Sequence, residues 1–532
     1  MHATRKSYLL ALILITLLAL IAVGCGDGGG TASVDDGGTT DDGGGTDDGG
    51  DPDDGDDGNG GEDPPVVTDT ELIPQWAPTD FDQVYTVGPG QEYDDPSEVP
   101  WESLEGSTLV QIHWRSAPYR TKWVINTVAT AEAPLVVVGI ADDGRRPVIS
   151  GENAVTRREL NYWNEVRSVV KVGGSNLPTD DVIPAHIVIQ GLEIRSARPA
   201  YTFTDDNGQA ATYALNAAAI HVEVGEDIRI IDCVLHDAGN GLFSGHGSGD
   251  LLIRACHLYD NGIEESDHGT IQAGLHHNSY TESAGIVFEY NHYGPLRDGA
   301  LGNNLKDRSA GTVVRYNWIE GGNRQLDLVQ TSYADIDSHP AYDETFVYGN
   351  ILVEPEDAGN RQILHYGGDG GYDPYYREGT LYFYHNTVIS FASAGATLMR
   401  LATNAASADV RNNLLFGVDN GAMAILDSTG QVQLTNNWLP NRWRETFDGA
   451  LDPGAAIVAV DNTEGGDPGF MDVAGGDYRL TARAAAADCG GAIAPAAVSA
   501  EGAVAWQYQP HQSRGERPDD GLPDAGAFEM TP

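Results

Sequence analysis

The chain has 532 residues, 41% of them hydrophobic, and a formal net charge of −49. That is ample apolar material for a large buried core, and so acidic a balance excludes nucleic acid as a partner, which needs a basic footprint. Four cysteines are too few for a disulfide scaffold.

Residues 1–25 read as an export signal. Arg5 and Lys6 precede an apolar run from Tyr8 to Val23, which ends at Gly24-Cys25. The run is short for a membrane span, and its C-terminal flank is Gly/Asp-rich instead of basic. Ile21-Ala22-Val23-Gly24-Cys25 resembles a bacterial lipoprotein signal, in which Cys25 becomes the lipidated N-terminus. The resemblance implies an exported protein held by a lipid anchor on the bacterial cell envelope, exposed at its surface. Ordinary signal-peptidase cleavage after Gly24 is the alternative.

Residues 26–70 follow as a tether. Fourteen acidic residues lie between Asp27 and Asp63, and no Lys or Arg occurs between Lys6 and Arg115. Such a segment cannot bury enough apolar surface to offset chain entropy, so it is expected to be disordered and extended by self-repulsion. Its Asp-x-Asp spacing lacks the terminal Glu and flanking helices of a calcium loop.

From 71 to 465 the pattern becomes one of short strands. Ile228 to Leu235 reads IRIIDCVL, and later runs align on it as LLIRACHL, IVFEYNHY, TVVRYNWI, TFVYGNIL, LYFYHNTV, ADVRNNLL and VQLTNNWL. One position is filled in turn by Cys233, Cys256, Asn291, Asn317, Asn350, Asn386, Asn413 and Asn437. A recurrence of roughly two to four dozen residues is the period of solenoids, where each repeat buries its apolar face against its neighbours. Turn preference explains a single Asn. A succession of Asn at one place in the pattern is explained by amides that bond up and down a stack. The fold class is therefore all-β, a right-handed parallel β-helix. Cys233 and Cys256 would be vertical neighbours about 4.8 Å apart, which admits either a disulfide or two buried thiols.

Within the entry to this region, an extended loop from Val155 to Pro184 interrupts the strands, and insertions of this kind collect on one side of a solenoid. Further on, strand alternation is expected to send Leu301, Asn303 and Leu305 inward and Asn304 and Lys306 outward. The next coil then places Leu326 and Leu328 inside, with Gln325 and Asp327 outside. His276 and His277 before, and His365 and Arg400 after, join the same outer face. A long parallel face of charged and amide side chains suits a linear polymer, and extracellular polysaccharide is the natural candidate.

If the polymer is a uronate, the feasible reaction is β-elimination, which needs a base, a stabiliser of the enediolate and an acid for the leaving oxygen. Lys306 is one candidate base, with Arg308, Arg324 and Asn304 as charge stabilisers; His277 with Tyr280 is a second base and acid pair. His276, Asp327, His365 and Arg400 are candidate substrate contacts. A Lys starting near a pKa of about 10.4 must fall by roughly 3 units, about 4 kcal/mol, to act near neutrality, whereas His starts at about 6.5. Both assignments stay open, as does the reading of Lys306 and Arg308 as solvated residues balancing nearby Asp. Two other functions fit the same scaffold. One is a glycoside hydrolase using Asp327 with Asp307 or Asp369; the other is a non-catalytic glycan-binding or adhesive surface protein.

Tyr119, Pro134-Leu135-Val136-Val137 and Pro147-Val148-Ile149-Ser150-Gly151 resemble the first coils of bacterial right-handed β-helix proteins. Lys306 on one coil with an Arg near the next resembles the alginate and chondroitin lyases of the pectate-lyase-like superfamily. That resemblance implies a lyase acting on an acidic extracellular polysaccharide, and admits Ca2+ as a cofactor, although no carboxylate set near Asn303 answers to it. A monomer is expected. Residues 466–532, with Asp467-Pro468-Gly469-Phe470 and Asp524-Ala525-Gly526-Ala527-Phe528-Glu529, resemble the closing segment of secreted β-helix proteins. Such a segment is expected to cover the open end of the stack.

Overall fold

The structure, a computed structural model, describes residues 69–174, 182–371 and 373–530. The export signal with Cys25, and the tether as far as residue 68, lie outside those residues. From Gln83 onward the chain winds as a right-handed parallel β-helix with three faces. The first face carries Thr121–Ile125, Ser168–Val172, Ser279–Thr281, Leu305–Asp307, Leu326–Leu328, Gln362–Tyr366 and Ala396–Leu401, all paired in parallel through neighbours of the same kind. The second runs from Gln83–Val87 to Ala456–Val460, and the third from Val148–Ser150 to Thr463–Gly465. Two long strands, Ala218–Ile231 and Asn240–Arg254, bend through the first face into the second, with a register shift between Val222 and Val224. Leu, Ile, Val and Phe fill the interior, among them Ile230, Phe288, Leu305, Val314, Leu326 and Phe383, all buried.

The amide column stands at the turn from the second face to the third. Asn291, Asn317, Asn350, Asn386, Asn413 and Asn437 each donate Nδ2–H to the Oδ1 of the next Asn at 2.9–3.1 Å, and the column ends on Asn462. Each Oδ1 also accepts the backbone N–H of the ladder residue before it, as Asn386 does from Asn350. Turn preference acts one residue earlier. Asp232, Ala255, Tyr290, Tyr316, Gly349, His385, Asn412, Asn436 and Asp461 all hold positive φ, and each precedes a ladder position. The strain of a bulky residue there is of order 1 kcal/mol. At Tyr290 and Tyr316 it is offset by stacking between coils, since their rings lie parallel at 5.3 Å. Cys233 and Cys256 continue the column as free buried thiols, which donate to the carbonyls of Ile231 and Ile230 at 3.4 Å.

Asn350→Ala removes bonds to Asn386, Val314 and Tyr348 and leaves the Asn317 N–H unpaired. At about 1–3 kcal/mol for stranding buried polar groups, the expected cost is ~2–3 kcal/mol. A lowered urea midpoint checks it, and an unchanged midpoint would mean the column is decorative.

The closing segment lies along the flank instead of over the end, which corrects the expectation of an end cap. Tyr478, Tyr508, Ala527 and Phe528 pack on Trp318, Ile351 and Ile389 of the third face. Ala494 and Ala497, with Leu72 and Ile73 from the start of the helix, cover the outside of the second face. The physical reason is apolar surface: the outer rows of those two faces carry Tyr290, Tyr316, Phe346, Trp318 and Ile351, which need a cover. Arg517 pairs with Glu529 at 2.8 Å in the buried seam.

A file of imidazoles sits in this seam. His257 stacks on His292 at 4.5 Å, and His292 on His511 of the closing segment at 4.0 Å. Burial, with help from His511, His236 and Arg146, pushes His257 down to about 3, and burial likewise lowers His292 and His511. The unfolded chain takes up protons below about 6.5 while the folded one does not, so stability falls as pH falls, by about 1.4 kcal/mol per unit for each such group. Thermal unfolding midpoints are expected to be flat above pH 7 and to drop between pH 6.5 and 4. His257→Gln should flatten that drop.

Candidate active site

Parallel pairing puts the outward residues of the first face in one column. Phe243 is in register with Tyr280, Tyr280 with Lys306, Lys306 with Asp327, Asp327 with His365, and His365 with Arg400. Neighbours are therefore about 4.8 Å apart along the axis. Leu305, Leu326 and Leu364 alternate with them into the core.

Lys306 is buried, and its ammonium donates to Asp327 Oδ2 and, at 2.6 Å, to Asp369 Oδ2. Asp369 also holds Arg308 through its Nη2 at 2.9 Å, while Arg308 Nε donates to the Tyr280 hydroxyl oxygen at 3.0 Å. Asp327 accepts from Asn303 Nδ2 at 2.7 Å, and its other oxygen faces His365 Nδ1 at 3.0 Å. Burial works to raise the Asp327 carboxyl, but the Lys306 cation and the His365 hydrogen bond hold it well below the usual carboxylate range. Burial opposes the same effect at Asp369, where Lys306 and Arg308 hold the carboxyl at about 2. Both carboxylates are thus ionised and occupied.

His277 lies edge-on to the Tyr280 ring at 5.6 Å. Burial, then the Lys306 charge, push its imidazole down to about 3, so it is neutral. Its Nδ1 accepts the Asn303 backbone N–H at 2.9 Å, which leaves the hydrogen on Nε2. A neutral His277 is therefore a donor through Nε2, and the expectation of an unshifted, basic imidazole is corrected by its burial. In His365 burial also lowers the imidazole against the pull of Asp327. The ionised Asp327 takes its Nδ1–H, and its Nε2 is buried without a hydrogen-bond partner.

Asn304, His276 and Asp307 stand elsewhere. Asn304 faces the turn, fully buried, and corrects the expected alternation: the strand starts at Leu305, so pleating does not extend back to it. It forms a second amide column, Asn261 to Asn278 to Asn304, with 2.9 and 2.8 Å bonds, and donates to the Gly294 carbonyl. Asn303, expected inside, is instead the residue that reaches Asp327. His276 is buried, with Nδ1 against the Gln272 carbonyl at 2.7 Å, and Gly302 lies so close that a Cβ there would meet the His276 carbonyl at 1.7 Å. Arg324 donates twice to Gln362 Oε1, at 3.1 and 2.7 Å, and its charge acts on Asp327 and His365 from beside the column. Arg400 is exposed beside His365. Asp307 turns inward.

Asp327 and Asp369, the carboxylates within the column's ion-pair network, are both engaged by Lys306 and Arg308, so these two residues do not fit a resident Ca2+ there. The apolar rim is supplied by Tyr333, 37% exposed and stacked on His246 at 3.5 Å. The sequence does not single out Tyr333 and reads His246 as a turn or core-edge residue, because their juxtaposition arises from strand-to-loop packing nearly ninety positions apart.

No protein-family model matches the chain, and no curated protein matches it. Among solved structures it is similar to a pectate lyase, with 10% identity over 85% of this chain and 97% of that one and a TM-score of 0.44. It is also similar to an alginate lyase from Paenibacillus, with 11% identity over 72% and 99% and a TM-score of 0.40. A lacto-N-biosidase from Eubacterium ramulus gives 12% identity over 72% and 68%, with a TM-score of 0.39.

Proposed function

We propose that this protein cleaves a uronate-containing extracellular polysaccharide by β-elimination, with Tyr280 as the group that moves the proton. The observation that carries the reading is the Arg308–Tyr280 contact set beside Lys306 in a column built for a linear polymer. The step starts from Tyr280 as the phenolate, whose negative charge Arg308 balances by donating to the phenol oxygen. The phenolate takes the proton α to the uronate carboxylate and becomes the phenol, the freed electron pair forms the new C=C bond, the adjacent C–O bond breaks, and the phenol passes its proton to the leaving oxygen, which restores the phenolate. Lys306, Arg308 and the Nε2–H of His277 face the enediolate charge. Lys306 is less suited to be the base, since its ammonium is shared by two carboxylates.

Ionised Asp327 and Asp369 also weigh against the hydrolase reading, because a glycosidase needs one carboxyl kept protonated. The test is incubation of residues from Glu71 onward with a panel of uronate polymers. Absorbance of an unsaturated product supports elimination; new reducing ends without absorbance would indicate hydrolysis, and binding without product an adhesive protein. Export and lipid anchoring through Cys25 complete the proposal on sequence grounds. Cys25→Ser is expected to release the protein from the envelope fraction, and retention there would count against the anchor.

A further inference from the structure

The column does not end at Phe243. Phe243 is in register with His221, and His221 with Lys171, so the same outer row continues toward the N-terminal coils. The Phe243 ring contacts Tyr280 at 5.3 Å on one side and His221 at 4.9 Å on the other. Arg167 lies over that ring at 4.8 Å, and its Nε is buried without a hydrogen-bond partner. His221 is 3% exposed, and its Nδ1 is also without a partner. Lys171, by contrast, is spent: it pairs with Glu223 and donates to the Trp163 carbonyl at 3.0 Å. The Trp163 indole, 5.1 Å from the Lys171 ammonium, is 50% exposed.

We infer that Arg167, His221, Phe243 and Trp163 form a binding subsite for an acidic sugar residue, one to two units along the polymer from Tyr280. Strand spacing of about 4.8 Å is comparable with the length of one hexose unit, so a chain lying on the column would bring successive sugars over successive strands. Trp163, half exposed, offers flat apolar surface to sugar rings, whose C–H faces pack on aromatic planes, while the Phe243 ring supports the Arg167 guanidinium lying over it. Arg167 offers the planar fork that matches a carboxylate, and two buried polar atoms without partners mark a place where a ligand completes the hydrogen bonding. The connection between strands Ala154–Thr156 and Ser168–Val172 places Trp163 and Arg167 there, whereas Ser168–Val172, expected within an interrupting loop, is a regular strand of the first face.

This inference rests on the proposed reading of the substrate as a polyuronate, and the test separates the two. The full chain carrying Tyr280→Phe, to suppress turnover, is titrated by calorimetry with galacturonate and mannuronate oligomers from disaccharide to hexasaccharide. Affinity is expected to rise about tenfold with length, and Arg167→Gln or Trp163→Ala to abolish that rise while leaving disaccharide affinity unchanged. Arg167→Lys, which keeps the charge, should retain part of the rise and so rules out a folding defect. An undiminished rise in Arg167→Gln overturns the subsite, as does absence of affinity for every oligomer. If the rise is lost in Arg167→Gln but wild-type protein gives no unsaturated product, the subsite stands and the elimination reading falls.

Discussion

Tyr280→Phe is expected to lower kcat on a uronate polymer by about 10²- to 10⁴-fold, the usual worth of a positioned proton-transfer group, with KM little changed. The substitution removes one oxygen and leaves the ring, which still meets Phe243 and His277. Arg308 loses one acceptor but keeps Asp369 and the Gln330 carbonyl, so the loss of stability should stay near 1 kcal/mol. Lys306→Ala is the less informative variant. It strips the cation from Asp327 and Asp369 together, so any loss of activity would mix catalysis with rearrangement of the column. The readout for Tyr280→Phe is the ultraviolet absorbance of product, with the unfolding midpoint as control. Turnover within tenfold of wild type would show that the proton travels by another route.

The repeat was legible because it is one-dimensional. A residue recurring at the same place in successive coils, as Asn317, Asn350 and Asn386 do, must become vertical neighbours once the coils stack, and only the phase of the stack is needed to read it. Asn462 escaped because its run, AIVAVDNTEG, is less bulky after the ladder position. The site was legible only where strand pairing decides it. Lys306, Asp327, His365 and Arg400 share a column because pleating is strict within a strand. Pleating fails at turns, which is why Asn303 and Asn304 exchanged roles. Contacts made by loops were invisible: Asp369 reaches back to Lys306 from 63 positions away, and the charge state of His277 depends on burial that no local pattern encodes.

Asp307 shows the largest of these reversals, and it carries the second strong expectation. Beside Lys306 in sequence, it could be read as a surface counter-charge. In the structure it pairs with Leu328, on the inward side of the strand, and is fully buried. Its carboxylate accepts from Thr281, Ser309 and Thr312 hydroxyls at 2.8, 2.6 and 2.6 Å, with the Arg377 guanidinium at 3.8 Å. Arg377 is itself fully buried, and donates to the Val329 carbonyl, the Ser309 carbonyl and Thr345. Removing one member leaves an uncompensated buried charge, so Asp307→Ala or Arg377→Met alone is expected to cost about 3–5 kcal/mol, whereas an apolar pair can restore much of the loss. Urea unfolding of Asp307→Leu, Arg377→Met and the double variant checks this: the double should be clearly more stable than the sum of the singles predicts. Simple additivity would mean that the two charges do not depend on each other. Because the carboxylate faces away from the column, the double variant should also keep kcat near wild type where it remains folded, and a large loss there would move Asp307 from the scaffold into the chemistry.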